Sequence, residues 1–123
     1  MSHPLFVYGT LMSGEAQAGL LGDASRAQAH TRGTLWDLPA GYPALSHGDD
    51  RVEGELVVLP IPGMLAVLDR YEGVDDGLYE RVLIDVMVEL RRHRAWAYVM
   101  TDPRLSGGRR VPGGGRWSPT RRR

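Results

Sequence analysis

Residues 79–100, YERVLIDVMVELRRHRAWAYVM, decide the fold class. Val82, Ile84, Val86 and Val88 recur at every second position, while Arg81, Asp85 and Glu89 mark the opposite face, with Leu83 and Met87 between them. Two-residue periodicity carried by β-branched side chains predicts a strand with one face in a core. Arg91-Arg92-His93-Arg94 reads as a polar turn, and Ala95 to Met100 returns as a second strand. The pair predicts a β-hairpin.

The segments before it alternate in kind. Met64 to Tyr71 places Met64, Leu65, Val67, Leu68 and Tyr71 at helical spacings. Pro62 suits the first turn of that helix and Gly73 its C-terminal cap, which leaves Glu72 at the junction of helix and loop. Val52 to Leu59 is a strand, with Val52, Gly54, Leu56 and Val58 on one face and Glu53 and Glu55 on the other. Its paired valines predict burial on both sides. Further back come a strand over Ala27 to Trp36, a turn at Leu38-Pro39-Ala40-Gly41, and an irregular edge segment, Tyr42 to Leu45. Asp49 and Asp50 read as a solvated polar turn with His47 and Gly48. Leu5 to Tyr8 is a short buried strand ending in a glycine loop, and Glu15 to Leu21 a short helix weakened by Gly14, Gly19 and Gly22. Strands outnumber helices, so the class is α+β: a mixed, mainly antiparallel sheet, closed into a small barrel with flanking short helices.

The chain has 123 residues, the size of one domain over 1–123, with an Arg/Gly/Pro-rich C-terminal tail over 104–123. It has no cysteine, which excludes disulfides, thiolate metal sites and a cysteine nucleophile. The N-terminus lacks a basic region followed by a long apolar stretch, and no apolar run nears the ~18 residues of a membrane span. A cytoplasmic location is expected. The 15 basic residues are all arginine; seven follow residue 103, whereas all 15 acids precede it, so the body carries −7 and the tail +7. An acidic body repels a phosphate backbone, so no nucleic-acid partner is expected, and no membrane partner either. Trp117 needs a place to bury its ring and the acidic body attracts the arginines, so the tail is expected to dock; the other reading is a tail that binds a partner.

Two elements could carry chemistry. In FVYGTLM, residues 6–12, Gly9 allows a tight turn. The amides of Gly9, Thr10 and Leu11 then form an anion site if a helix begins soon after; otherwise the stretch is an ordinary strand end. In LDRYEGVDDGLYERV, residues 68–82, Glu72 ends a helix where the dipole disfavours an acid. Glu72 is either a solvated surface charge or, in an apolar pocket, a carboxylate whose pKa rises until it can act as a general base. Asp69, Asp75 and Asp76 read as surface acids or turn formers. Tyr79 is a pocket wall or a core-edge ring, and Arg81 pairs with an acid across the sheet. Trp36, Trp96 and Tyr98 are core. The four histidines fit no metal spacing, and there is no GxSxG elbow or phosphate loop.

In this order the motifs resemble the γ-glutamylcyclotransferase-like family, also called AIG2-like or BtrG-like. FVYGTLM looks like the family's N-terminal signature. Gly41-Tyr42-Pro43-Ala44-Leu45 is similar to its GYPAL segment, and Val52-Glu53-Gly54-Glu55-Leu56 to its next strand, with Val57 for the usual aromatic. Leu68 to Gly73 resembles LD.yEG, followed by Leu78 to Arg81; Trp96, Tyr98 and Val99 resemble a later strand. Gly115-Arg116-Trp117 resembles a terminal segment with Arg116 in place of the common aspartate. The resemblance implies a small mixed barrel with flanking helices. It further implies a loop, Tyr8, Gly9, Thr10 and Leu11, that binds the glutamyl part of a substrate, and Glu72 as catalytic acid/base. Tyr79 and Tyr98 carry over as pocket walls. The implied reaction is cyclisation of a γ-glutamyl amide to 5-oxoproline with release of an amine, an acyl transfer in which the substrate supplies the nucleophile, so no cofactor and no metal are expected. The alternative is a non-catalytic module that uses the same loop to bind a small carboxylate.

Overall fold

The computed structural model of the chain describes residues 3–12, 18–22, 24–59 and 63–118. Seven strands form its sheet: β1 (Leu5–Val7), β2 (Ser25–Asp37), β3 (Pro43–Val58), β4 (Glu80–Val88), β5 (Arg91–Val99), β6 (Arg109–Arg110) and β7 (Gly114–Gly115). One α-helix, α1 (Met64–Tyr71), lies between β3 and β4, and 3₁₀ turns occupy Ala18–Leu21 and Pro103–Ser106. The rest of the helix expected over Glu15 to Leu21, and Pro62, lie outside the described residues.

Five strands close on themselves. β1 pairs antiparallel with β3, β3 with β2, β2 with β4 and β4 with β5, and β5 returns to β1 in parallel, Leu5 opposite Trp96. The result is a five-strand mixed β-barrel with one short α-helix. Closure leaves no long free edge. The seam between β2 and β4 is a narrow join, with His30 opposite Met87 and the Thr31 hydroxyl donating to the Asp85 carbonyl at 2.7 Å. Among the described residues no helix is long and apolar enough to cross a membrane.

Alternation along the strands sorts the buried side chains into two cores. Leu5 and Val7 belong to one, Phe6 and Tyr8 to the other. Leu68 of α1 packs with the first, so that core lies outside the barrel, between its wall and the helix and loops. The second fills the barrel, where Ala29, Ala95 and Ala97 leave room for Phe6, Leu35, Leu56 and Trp117. The C-terminal segment supplies that last ring. β6 pairs with β2 and β7 with β3, Val111 donates its amide to the Leu35 carbonyl at 2.8 Å, and the Trp117 indole donates to Asp37 at 3.2 Å. Arg110 reaches Asp50 at 2.8 Å, and the Arg104 guanidinium lies 4.9 Å from the Trp36 ring centre. Residues 119–123 are outside the described set.

Three local expectations are corrected. The hairpin turns at Glu89-Leu90, not over Arg91–Arg94, since Val88 faces Arg91 and the four polar residues belong to β5. The exposed arginines 91, 92 and 94 project from a sheet wall, with Arg94 reaching Asp85 at 3.3 Å, and charge alone mimics a turn. Likewise Asp49 and Asp50 are not in a turn between strands. β3 runs continuously from Pro43 to Val58, and its register against β2 jumps from Gly33–Asp50 to Thr34–Ser46, leaving a bulge over 47–49. Finally, Val57 is buried but Val58 is 60% exposed, because β3 is covered on both sides only up to the barrel's end.

Candidate active site

Helix α1 ends as its sequence directs. Glu72 donates its amide to the Leu68 carbonyl at 2.8 Å, and Gly73 and Val74 donate theirs to Arg70 and Asp69 at 3.1 and 3.0 Å. That pair of bonds is the Schellman arrangement, and it requires the left-handed backbone Gly73 adopts at φ 70°. The stop leaves Glu72 half-buried at the C-cap of the helix, on the same cavity as the loop that follows β1.

A cavity of about 240 Å3 opens there. The end of β1 and its loop contribute Phe6 to Leu11; Tyr42 and Pro43 form another wall, and Tyr71, Glu72, Leu78, Tyr79 and Tyr98 complete it. All seven residues singled out from the sequence (Tyr8, Gly9, Thr10, Leu11, Glu72, Tyr79 and Tyr98) therefore line one space, although they come from four separate parts of the chain. A Cβ on Gly9 would lie 2.7 Å from Pro43 Cγ, so only glycine lets the loop approach the opposite wall this closely. The amides of Thr10 and Leu11 have no hydrogen-bond partner among the described residues.

Glu72 is the one carboxylate in the lining among the described residues. Its side chain has no hydrogen-bond or ion-pair partner among the described residues, and burial against apolar neighbours pushes its pKa up from 4.5 to about 7. The tyrosines move the same way. Burial first raises Tyr8, Tyr79 and Tyr98 far above the usual phenol value, followed by neighbouring charge at Tyr8 and Tyr79 and by the hydrogen bond to Asp69 at Tyr98, and the charge of Glu72 contributes to all three. They remain neutral at any physiological pH, so Glu72 is the lining group that changes charge near neutrality.

Two supports were not legible as such in the sequence. Asp69, expected at the surface, is half-buried. Its carboxylate receives the Arg81 guanidinium at 2.7 and 3.2 Å and the Tyr98 hydroxyl at 2.8 Å. Arg81 thus pairs with the helix rather than across the sheet, and its guanidinium lies 4.3 Å from the Trp96 ring centre. This cluster fastens the last turn of α1 to β4 and β5 three residues before Glu72. The second support is Arg26 on β2. Its Nη1 donates to the Leu11 carbonyl and to Glu55, both at 2.8 Å, and Glu55 is 2% exposed. A buried ion pair thereby holds the loop from below. Spacing could have suggested the first pair only if the helix–sheet packing were known; the second joins residues far apart in the chain. No group of three histidine, aspartate or glutamate side chains among the described residues could hold a metal ion.

The closed five-strand mixed barrel with one short α-helix among the described residues has the γ-glutamyl cyclotransferase-like fold. The chain matches the family described as gamma-glutamyl cyclotransferase, AIG2-like, over residues 5–119, and belongs to that family. Among solved structures it is similar to YkqA from Bacillus subtilis, with a TM-score of 0.71, 26% identity and 94% of this chain aligned. The aligned part is 39% of YkqA, so the chain spans about two fifths of that relative. An AIG2-like protein from Mus musculus aligns with a TM-score of 0.70 and 24% identity over 80% of this chain and 76% of its own. A γ-glutamyl cyclotransferase aligns at 0.68 and 19% identity over 91% and 73%. At those identities the last two speak for the fold alone. No curated protein sequence matches the chain.

Proposed function

We propose that the chain is a γ-glutamyl cyclotransferase, which converts a γ-glutamyl amide into 5-oxoproline and a free amine. The observation that carries this reading is Glu72: a desolvated carboxylate poised near neutrality in a cavity whose other wall offers the Thr10 and Leu11 amides, all three groups without a hydrogen-bond partner among the described residues. The α-amine of the substrate attacks its own γ-carbonyl carbon, a C–N bond forms, and the original amide C–N bond breaks as the leaving nitrogen takes a proton. Glu72 removes the proton from the α-ammonium and returns one to the leaving amine, a role typically worth about 10²–10⁴-fold. Holding the chain of the substrate folded for this attack supplies more, about 7–11 kcal/mol of the barrier in well-oriented intramolecular reactions. The loop from Tyr8 to Leu11 grips the α-carboxylate, or steadies the oxyanion, through its amides.

Release of 5-oxoproline from γ-glutamyl amino acids, γ-glutamylamines and γ-glutamyl isopeptides, measured for the native chain and for Glu72→Gln, tests the reading. Release by the first and not by the second supports both reaction and shuttle. Binding of these compounds without release from any of them would make the chain a carboxylate-binding module instead.

A further inference from the structure

The cavity has a buried floor and an exposed mouth. Val7, Tyr8, Leu11, Tyr79 and Tyr98 are buried, whereas Tyr71 is 45% and Leu78 38% exposed. Exposed apolar side chains that stand singly are ordinary, but these two share one rim. Both adjoin Glu72. Tyr71 precedes it in the chain, and Leu78 lies over Gly73, which follows it: a Cβ on Gly73 would stand 3.2 Å from the Leu78 Cβ. The loop between them is fixed by its own backbone. Asp76 and Leu78 donate their amides to the Gly73 carbonyl at 3.1 and 3.0 Å, and Gly77 donates to the Val74 carbonyl at 3.1 Å. Leu78 is therefore held at the mouth before any ligand arrives, which lowers the cost of binding against it. Half-buried Tyr42, its ring centre 6.3 Å from that of Tyr79, extends the apolar wall.

This mouth offers an anion no counter-charge. Among the described residues no arginine or histidine lines the cavity. Arg26 and Arg81, on strands that adjoin the site, are bound to Glu55 and Asp69. Arg70 precedes Tyr71 but is outside the lining, as successive residues of a helix do not share a face. The neighbouring stretches 13–17 and 60–62 of the sequence contain no basic residue. Asp75 and Asp76, exposed on the loop that carries Leu78, add like charge. In the proposed reaction the leaving nitrogen takes its proton from Glu72, so the group it carries extends past the residues around Glu72. An amino acid leaving there would bring a carboxylate, on the carbon next to that nitrogen, among apolar side chains and acids, and desolvating an unpaired anion is costly. We infer that Tyr71 and Leu78 form a leaving-group subsite for an uncharged apolar amine, and that this subsite discriminates against amino-acid leaving groups by their carboxylate. The inference rests on the proposed function for the identity of the leaving group; the subsite itself rests on exposure, packing and charge.

The compounds γ-glutamyl-phenethylamide and γ-glutamyl-phenylalanine differ by that carboxylate alone. For 5-oxoproline release by the native chain, kcat/KM is expected to favour the first by on the order of 10–100-fold. Tyr71→Ala should lower kcat/KM for the phenethylamide by about tenfold. Leu78→Arg places a cation at the mouth, and should raise kcat/KM for the phenylalanine compound while lowering it for the phenethylamide, so that the preference shrinks by at least about tenfold. Both side chains are exposed, so neither change opens a core. Equal kcat/KM for the two compounds, a preference for the phenylalanine compound, or a preference that Leu78→Arg leaves untouched would overturn the subsite. Glutaryl-phenethylamide and glutaryl-phenylalanine, which lack the α-amine and cannot cyclise, separate subsite from reaction through their affinities in NMR shift titration. Tighter binding of the first that Leu78→Arg reverses, with no release from either γ-glutamyl compound, keeps the subsite and sinks the cyclotransferase. Equal release from both γ-glutamyl compounds does the opposite, and neither binding nor release sinks both.

Discussion

The core inside the barrel and the core outside it are drawn from the same strands, and they end differently. Inside, every second residue of β1, β3, β4 and β5 meets its neighbours until Trp117 fills the remaining space and hands its one polar atom to Asp37. Outside, the wall is covered by α1 and by the loop after β1, and the cover is incomplete: a cavity remains, with Glu72 at its edge. The carboxylates make the same contrast. Glu55, almost fully enclosed, is held by Arg26 and approached by Gln28 Nε2 at 3.4 Å. Glu72, less enclosed, has no such partner among the described residues, and burial raises its pKa. A buried acid with a partner holds structure in place, whereas a buried acid without one is a chemical group held ready at a cost in stability.

The largest expected effect breaks the contrast at its chemical end. Glu72→Gln should lower kcat by about 10²–10⁴-fold without loosening the fold, as turnover and thermal melting would read. An equal loss of melting temperature would return Glu72 to the structural side. Next is the inner core. Trp117→Ala should cost about 3–5 kcal/mol in denaturant unfolding, because it empties the end of the barrel, while the folded fraction keeps its turnover. If turnover per folded molecule fell with it, the two cores would be coupled through Tyr8, which belongs to the same inner core as Trp117 yet lines the cavity.

The third effect is one of pH. Glu72 is an acid whose pKa is raised on folding, so between about pH 4.5 and 7 the native state binds more protons than the unfolded one. Its contribution to stability is therefore full below pH 4.5 and falls as pH rises to 7, by about 3 kcal/mol at most. The stability of Glu72→Gln relative to the native chain should accordingly be greater at pH 8 than at pH 4.5, as urea titrations at the two values would show. The same ionisation gives kcat/KM a limb that rises with pH around 7, absent from any residual activity of Glu72→Gln. A flat profile across that range would remove Glu72 as the base. The smallest effect concerns the loop's support. Glu55→Gln keeps the shape and weakens the grip on Arg26, so it should cost about 1–3 kcal/mol and raise KM more than it lowers kcat. A change in kcat alone would mean that the loop acts on the transition state rather than on binding.

Much of this architecture is legible in the chain. Helix α1 was expected over Met64 to Tyr71 and lies there, because apolar spacing, a C-terminal glycine and the turn after it all agree. The hairpin of β4 and β5 follows from two-residue alternation, but its turn does not, since Glu89-Leu90 lacks the Gly or Asn that marks such turns and Glu89 takes a φ of 55° without a sequence signal. The bulge in β3 reads as a turn for a related reason: Gly48 with two aspartates looks the same in either setting.

For the site, the sequence by itself determined which residue types stand where: a glycine loop after a short strand, an acid at a helix end capped by Gly73, and tyrosines on later strands. Those are local facts, carried by backbone preference and spacing. Only the tertiary structure decided that they share one cavity, that Asp69 and Arg81 face each other, that Arg26 reaches the loop, and that Tyr79 and Tyr98 give their protons to the Pro43 carbonyl and to Asp69. A hydrogen bond's direction and a carboxylate's desolvation depend on neighbours brought from far along the chain by barrel closure, and no window of sequence contains them.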